Sequence, residues 1–165
     1  MAGQDLGDHG PVARAIIDGN VYMTLATADG EGRPWATPVF FAHADHRDFF
    51  WISSPDALHS RNLAARPEVS LVVFDSTAPV GSGQAVYVSA TVDQLAGEDI
   101  AAGLAVYPGP PERGARRIAP EEVQGSGPFR LYRARASQHW ILCPSETRPC
   151  EEHGIALDHR AEVSL

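Results

Sequence analysis

Three apolar stretches early in the chain are separated only by short turns, and this spacing limits the folds that the sequence can adopt. The stretches lie at residues 21–27, 34–42 and 49–53, with polar turns at 28–32 and 44–48. Turns this short join antiparallel neighbours, whereas a parallel sheet needs a crossover helix after nearly every strand. The spacing therefore predicts an antiparallel sheet and excludes a doubly wound α/β fold.

Four later stretches are also predicted strands, at residues 69–74, 84–92, 129–136 and 138–142. The stretch 84–92 alternates between two faces, whereas the unbroken apolar run at 69–74 predicts burial on both faces. Pro38 interrupts the second strand of the chain and indicates an edge position or a bulge. About seven twisted strands are expected to close into a mainly β barrel with peripheral helices.

Helices are predicted at residues 11–18, 55–65 and 98–106, and a Pro/Gly-rich loop at 108–114. Ser54 is expected to cap the second helix, with Pro55 at its first helical position. A chain of 165 residues is expected to form one domain, spanning 1–165. Within it, residues 1–10 and 144–165 are expected to be flexible tails or peripheral segments.

The charge of the chain narrows the choice of partners. Its net charge is −8, which disfavours nucleic-acid binding through a global basic field. All 13 basic residues are arginines, so a Walker A loop, a pyridoxal phosphate Schiff base and a protein-kinase site are excluded. No apolar run is long enough to span a membrane, and residues 1–10 lack the features of a secretory signal. We therefore expect a cytoplasmic protein without membrane or nucleic-acid partners.

Two cysteines and two histidines near the C-terminus have a spacing that could suggest a metal site. Cys143, Cys150, His153 and His159 form the pattern C-x6-C-x2-H-x5-H. This spacing fits none of the usual zinc patterns, so the sequence predicts no metal site. In a cytosolic chain the two cysteines are expected to be reduced thiols.

Residues 49–74 read as a strand, a short polar helix and another strand, with phosphate-binding groups at the first junction. The first strand ends in Ser53 and Ser54, and the helix carries His59, Arg61 and Asn62. Hydroxyls at a strand end, a helix N-terminus and a nearby Arg/His pair form a site for a phosphate. An anionic cofactor in this lysine-free chain must be held by such groups.

The order of these residues resembles the cofactor-binding segment of the pyridoxamine 5'-phosphate oxidase-like FMN-binding split barrels. The resemblance is carried by the strand WATPVFF, by ISS followed by HSRNL, and by a Gly-Gln pair that opens a later strand, and it covers roughly residues 21–91. It implies an antiparallel split β-barrel that binds FMN and forms a homodimer, with residues from both chains at each site.

The resemblance assigns roles to individual residues. It puts Thr37, Pro38, Val39 and Phe40 beside the isoalloxazine ring, and Ile52 and Ser53 at the ribityl–phosphate turn, next to Ser54. It puts His59 where the family usually has Lys or Arg for the phosphate, followed by Arg61 and Asn62, and it makes Gln84 face the cofactor, with Trp140 near the flavin.

The resemblance implies an FMN-dependent oxidoreductase that transfers electrons between reduced flavin and a small-molecule substrate, with NAD(P)H or oxygen as the other partner. No catalytic dyad is evident, because the flavin supplies the redox chemistry. Pyridoxamine 5'-phosphate oxidase activity itself is not expected, since neither Arg148 nor Arg160 begins the Arg-x-His motif of that enzyme. The alternatives are F420 binding with residues 113–117, haem binding through His43, His59 or His139, and a non-catalytic flavin-binding or sensor protein.

Overall fold

The antiparallel sheet expected from the apolar stretches is present in the computed structural model, which describes residues 8–144 and 147–165. Eight strands form one sheet within these residues: β1 (Tyr22–Ala28), β2 (Pro34–Phe40), β3 (Ala42–Ala44), β4 (Asp48–Ser53), β5 (Glu68–Phe74), β6 (Ala85–Gln94), β7 (Arg130–Leu142) and β8 (Arg160–Val163). The helices described are α1 (Gly10–Gly19), α2 (Leu58–Ala65) and α3 (Asp99–Val106), with 3-10 turns at Pro111–Arg113 and Pro120–Glu122. None of these helices is long and apolar enough to cross a membrane.

The order of the strands curls the sheet into a split barrel. The order is β2-β1-β5-β6-β7-β4-β3, with β8 also paired to β7, and every pairing is antiparallel. The two ends of this path, β2 and β3, are consecutive in the chain and are separated only by the fully buried Phe41. The sheet therefore bends until its two ends meet, as predicted for an antiparallel split barrel.

Two apolar clusters lie on opposite faces of this sheet. The inner cluster fills the barrel and includes Leu25, Trp51 and Ile141, and the Trp51 ring stacks on Tyr132 at 5.4 Å. The outer cluster lies where α3 and the segment after it cover β4 and β7, and it includes Phe50 and Leu131. Each fully buried large side chain contributes about 1.5–3 kcal/mol to stability.

Two predictions about the strands are wrong. Strand β5 is buried on one face only, through Val69, Leu71 and Val73, because its outer face has no covering helix in the described residues. The predicted strands at 129–136 and 138–142 are one strand, β7. A β-bulge accommodates the extra residue, because the pairing of β6 with β7 shifts between Ser89 and Ala90.

The ends of the chain differ in what the structure describes. Residues 1–7 and 145–146 lie outside the described residues. The segment 144–165, expected to be a tail or peripheral, contributes β8, and Ala161 and Val163 of this strand pack into the inner cluster.

The predicted strand at 34–42 is divided at Phe41 into β2 and β3.

Candidate cofactor site

Ser53 and His59 meet where β4 leads into α2. The Ser53 hydroxyl and His59 Nε2 are 2.8 Å apart and share a hydrogen bond. His59 is buried, and this burial lowers the pKa of its imidazole. The imidazole is therefore neutral at neutral pH, and it is available to a phosphate as a polar group that can take up a proton.

Helix α2 begins later than the sequence predicted. The Ser54 hydroxyl accepts a hydrogen bond from the Asp56 N–H at 3.2 Å, and its carbonyl accepts one from the Ala57 N–H at 3.1 Å. These bonds close a turn, so α2 starts at Leu58 and not at Pro55. Ser54 caps this turn and not the helix, and His59 occupies the second helical position.

Asn62 joins α2 to the barrel. Its side-chain N–H donates to Thr27 Oγ1 at 3.1 Å, and the Thr27 hydroxyl donates to the Trp35 carbonyl at 3.3 Å. Asn62 and Thr27 are both buried. Arg61 is exposed on another side of the same helix and makes no ion pair within the described residues. The structure therefore brings Ser53, His59 and Asn62 to one end of the barrel, with Arg61 turned to solvent.

The four residues expected beside the flavin ring lie on β2, an edge strand. Pro38 is tolerated there because β2 pairs only with β1, which confirms the expectation of an edge. Val39 packs into the inner cluster, whereas Pro38 and Phe40 lie on the other face of the strand. Thr37 Oγ1 is buried without a hydrogen-bond partner in the described residues.

Gln84 precedes β6 and carries a second unpartnered polar atom. Its Oε1 is buried and accepts no hydrogen bond from the residues that the structure describes. An unsatisfied buried polar atom costs about 1–3 kcal/mol, so such atoms are uncommon and mark positions where a ligand can bond. Thr37 and Gln84 were both predicted cofactor contacts.

A cavity of about 600 Å³ lies between β2, β4 and the segment after α3. Phe40 and Ile52 line it together with Tyr22, Phe129 and Arg113. The Tyr22 ring stands edge-on to Phe40 at 6.1 Å. The volume is within the usual range for cofactor sites, and aromatic walls with a few polar groups are typical of them.

Arg113 fixes the wall of this cavity. Its Nη2 donates to the Phe41 carbonyl at 2.6 Å and to the Asn20 carbonyl at 3.0 Å, and its guanidinium lies over the Phe40 ring. Burial lowers its pKa, but a guanidinium keeps its charge at neutral pH. The sequence predicted a Pro/Gly-rich loop here and indicated residues 113–117 only for F420, because no local pattern shows that Arg113 reaches a carbonyl 72 residues away.

Trp140 lies away from the end of the barrel that holds Ser53 and His59. A single row of cross-strand neighbours on the outer face joins Trp140, Tyr87, Val72, Thr24 and Pro38. Four strand spacings separate Trp140 from Pro38, which is roughly 19 Å. The structure therefore does not bring Trp140 to the flavin-ring strand within one chain.

The three histidines considered for haem have different surroundings. His59 is buried against Ser53, and the buried His139 donates from Nε2 to the His46 carbonyl at 2.9 Å. His43 is half-buried, lies 3.0 Å from Asp18 through Nε2, and lines a second cavity of about 320 Å³. His139 lines a smaller cavity of about 220 Å³, so what distinguishes His43 is that its cavity also contains Arg113.

Comparison with known proteins points to one family. Residues 10–127 match the family model described as pyridoxamine 5'-phosphate oxidase. A pyridoxine/pyridoxamine 5'-phosphate oxidase from Streptomyces avermitilis is 38% identical over 64 residues, which are 36% of this chain and 29% of that protein. The matched segment therefore spans less than a third of this relative.

Solved structures share the fold. A haem-binding protein from Mycobacterium smegmatis superposes with a TM-score of 0.64 at 21% identity, over 91% of this chain and 56% of that one. The haem storage protein HutZ from Vibrio cholerae superposes with a TM-score of 0.63 at 21% identity, over 78% of this chain and 89% of that one. At this level of identity the similarity establishes the architecture alone.

Proposed function

Because the chain belongs to the pyridoxamine 5'-phosphate oxidase family, we propose that it is an FMN-binding oxidoreductase that acts as a homodimer. The observation that carries this proposal is the 600 Å³ cavity beside β2, which two predicted cofactor contacts, Phe40 and Ile52, line. Its aromatic walls suit a planar heterocycle, and Arg113 supplies a fixed positive charge beside them.

One of the unpartnered polar atoms, on β2, also fits a flavin. The ring system of FMN presents both hydrogen-bond donors and acceptors along one edge. Thr37 Oγ1 can donate to such an edge or accept from it. Gln84 lies elsewhere, because the row of cross-strand neighbours from Thr37 meets β6 at Val88, three strand spacings away and four residues beyond Gln84. One chain therefore does not bring both atoms to the same edge of the ring. A flavin bound by Thr37 would remove the cost of leaving this hydroxyl unsatisfied.

The phosphate of FMN would lie at the junction between β4 and α2. The Ser53 hydroxyl can donate to it, His59 can bond to it through a ring nitrogen, and the N-terminus of α2 contributes a favourable field. Arg61, exposed on α2, adds a mobile positive charge. Ser54 and Asn62 hold the turn and the helix in position through their own hydrogen bonds.

When bound, FMN supplies two-electron redox chemistry. The chain itself would bind and orient the ring along β2 and keep water from one face with the aromatic walls. The electron donor in this proposal is NAD(P)H, and the acceptor is a small molecule. The curated relatives' own activity is not carried over, because the matched segment is short and the Arg-x-His motif is absent.

A homodimer is supported by the part of the outer face of the sheet, at β1 and β5, that no helix of the described residues covers. Tyr22 and Phe74 are exposed there, 61% and 46% respectively, and the row from Trp140 to Pro38 crosses the same face. An apolar sheet face of this kind suits a second copy of the chain. Trp140 would then lie near a flavin that is bound partly by the other copy of the chain.

Haem is the second candidate ligand. It is favoured by His43, which lines a cavity beside Arg113, and by the haem-related names of two proteins with this fold. Arg113 could pair with a propionate of haem. F420 is a third ligand of the same redox class, for which residues 113–117 would form the basic groove.

The absorbance spectrum of the purified protein, with mass spectrometry of the released ligand, tests these candidates. Flavin bands and the mass of FMN are expected, and reduction by NADH or NADPH should bleach those bands. A Soret band would support haem, and the mass of F420 would support the deazaflavin. A colourless protein that binds none of the three when they are added would refute the proposed function.

A further inference from the structure

Two thiols and two imidazoles converge where the C-terminal segment returns to the sheet. Cys143 follows β7, His159 precedes β8, and Cys150 and His153 lie in the loop between them. The nearest ligand atoms of all four lie within 4.8 Å of one another. We propose that these residues bind one Zn²⁺ ion, at a site distinct from the proposed cofactor site.

Four of the six separations between the ligand atoms are close to the edges of a zinc tetrahedron. The two sulfurs are 3.8 Å apart, His153 Nδ1 is 3.8 Å from Cys143 Sγ and 3.4 Å from Cys150 Sγ, and the two imidazole nitrogens are 3.1 Å apart. With normal Zn–S and Zn–N bonds, a tetrahedron has edges of about 3.8 Å between sulfurs, about 3.6 Å between sulfur and nitrogen, and about 3.3 Å between nitrogens. Four of the six edges therefore agree with a zinc tetrahedron to within about 0.2 Å, and the other two, from His159 Nε2 to the sulfurs, are within 4.8 Å.

The fold builds each half of the site from a separate local structure. Cys143 and His159 extend the pairing of β7 with β8, because the Cys143 N–H donates to the His159 carbonyl at 2.8 Å. Cys150 and His153 share a turn that is closed by the Gly154 N–H, which donates to the Cys150 carbonyl at 2.7 Å. Gly154 has φ +67°, where a glycine is favoured.

One hydrogen bond and one longer contact with a carboxylate orient the two imidazoles from outside the site. His159 Nδ1 donates to the Leu157 carbonyl at 3.0 Å, which leaves the Nε2 lone pair directed at the cluster. His153 turns Nδ1 towards the cluster, and its Nε2 lies 3.7 Å from the Glu152 carboxylate. Carbonyls and carboxylates in these positions are the usual orienting partners of metal-bound histidines.

The donor set selects the metal. Two sulfurs and two imidazole nitrogens in a tetrahedron favour Zn²⁺ over Mg²⁺ and Ca²⁺, which require oxygen ligands. Binding would release the two thiol protons, so two thiolates and two neutral imidazoles would balance the charge of the ion. Because the protein supplies all four ligands, the site would be structural and would tie β8 to β7.

The sequence analysis predicted no metal because of the spacing of these four residues. Zinc patterns usually place each ligand pair within one short turn. Here only Cys150 and His153 satisfy that rule, whereas Cys143 and His159 are 16 positions apart in number and meet through the pairing beside β7 and β8. This pairing can be recognised only when the position of β8 beside β7 is known from the structure.

Elemental analysis of the intact, reduced protein after dialysis tests the proposal. We expect about one zinc per chain, and less than about a tenth of that in Cys150→Ser and His159→Ala. Glu162→Gln, an exposed change on the same strand β8, should retain the metal. Zinc that is retained at full stoichiometry in both ligand variants would overturn the assignment.

Cobalt substitution of the unmutated chain provides a readout that does not depend on the folding of variants. Co²⁺ should produce intense tetrahedral ligand-field bands and thiolate charge-transfer bands, and added Zn²⁺ should remove both. Absence of these bands from the reduced protein would refute the site. An intact mass two hydrogens lower, which indicates a Cys143–Cys150 disulfide under reducing purification, would also refute it. None of these measurements depends on FMN, so the proposed function can fail separately.

Discussion

Ser53 Oγ and His59 Nε2 are joined by a 2.8 Å hydrogen bond across the junction between β4 and α2, in the part of the chain predicted to hold a phosphate. The bond fixes both side chains before any ligand binds. Because burial lowers the pKa of His59, protonation of this imidazole opposes folding unless an anion lies beside it. The pair therefore links stability, pH and ligand binding.

The first prediction concerns stability in acid. Burial is the main cause that lowers the pKa values of both His59 and His139 below the usual 6.5. Above about pH 6.5 both imidazoles are mostly neutral in the folded and unfolded states, whereas below it the unfolded chain binds protons at these imidazoles more readily than the folded chain does. The free energy of unfolding should therefore fall as pH decreases from about 6.5.

Urea titrations of the ligand-free protein between about pH 5 and 8 measure this dependence. His59→Gln keeps a hydrogen-bonding side chain beside Ser53 but cannot take up a proton, so it should show a shallower fall. An unchanged slope in this variant would mean that His59 titrates alike in both states.

The second prediction concerns cofactor affinity. If His59 bonds to the phosphate of FMN, the bound anion raises the pKa of its imidazole above the lowered value of the ligand-free state. FMN affinity should then fall as pH rises through the bound-state pKa, and the dependence should vanish in His59→Gln. Equilibrium dialysis measures FMN affinity at each pH in the parent protein and in His59→Gln. Arg61→Gln, at an exposed position of α2, is the control: it should lower the affinity without removing the pH dependence. Undiminished retention up to about pH 9 would contradict the role of His59.

The third prediction concerns the link between α2 and the barrel. Asn62→Ala leaves the buried Thr27 hydroxyl without its donor and should lower the free energy of unfolding by about 1–3 kcal/mol. Thr27→Ser keeps a hydroxyl and should lower the free energy of unfolding by less than Asn62→Ala does. In a double-mutant cycle with Thr27→Ala, the two losses should be less than additive. Full additivity in urea unfolding would show that the bond contributes nothing to stability.

Alternation and turns were enough to predict the sheet, because they depend on neighbouring residues. Pro38 correctly indicated an edge strand, since proline removes one backbone donor. The start of α2 was predicted three residues too early, because Ser54 and Pro55 suit a turn as well as a helix start. Burial of β5 was also wrong, because it depends on what covers the sheet and not on the strand itself.

The candidate site was less predictable because its parts come from distant segments. The segment 49–62 indicated the junction of β4 and α2, and this junction does gather Ser53, His59 and Asn62. The cavity wall formed by Arg113 has no local signature, since its partners are the carbonyls of Asn20 and Phe41. The cysteine and histidine cluster likewise depends on the pairing of β7 with β8.

The fourth prediction concerns Arg113. Its guanidinium bonds to two backbone carbonyls and lies over Phe40, so a lysine keeps the charge but loses the planar contacts. Arg113→Lys should lower the free energy of unfolding by about 1.5–3 kcal/mol and weaken FMN binding. Arg117→Lys, at an exposed position nearby, is the matched control. If urea unfolding shows equal effects for the two changes, the contacts of Arg113 do not stabilise the fold as predicted.

The last prediction concerns the proposed homodimer. Phe74 is 46% exposed on the outer face of β5, so Phe74→Glu adds a charge to that face with little cost to the fold of one chain. If this face holds the partner, burying the carboxylate would cost several kcal/mol and the dimer should dissociate at micromolar concentration. Val12→Glu, 40% exposed on α1, should leave the dimer intact. Light scattering measures the mass in each case, and either a monomeric parent protein or a dimeric Phe74→Glu variant would contradict the arrangement.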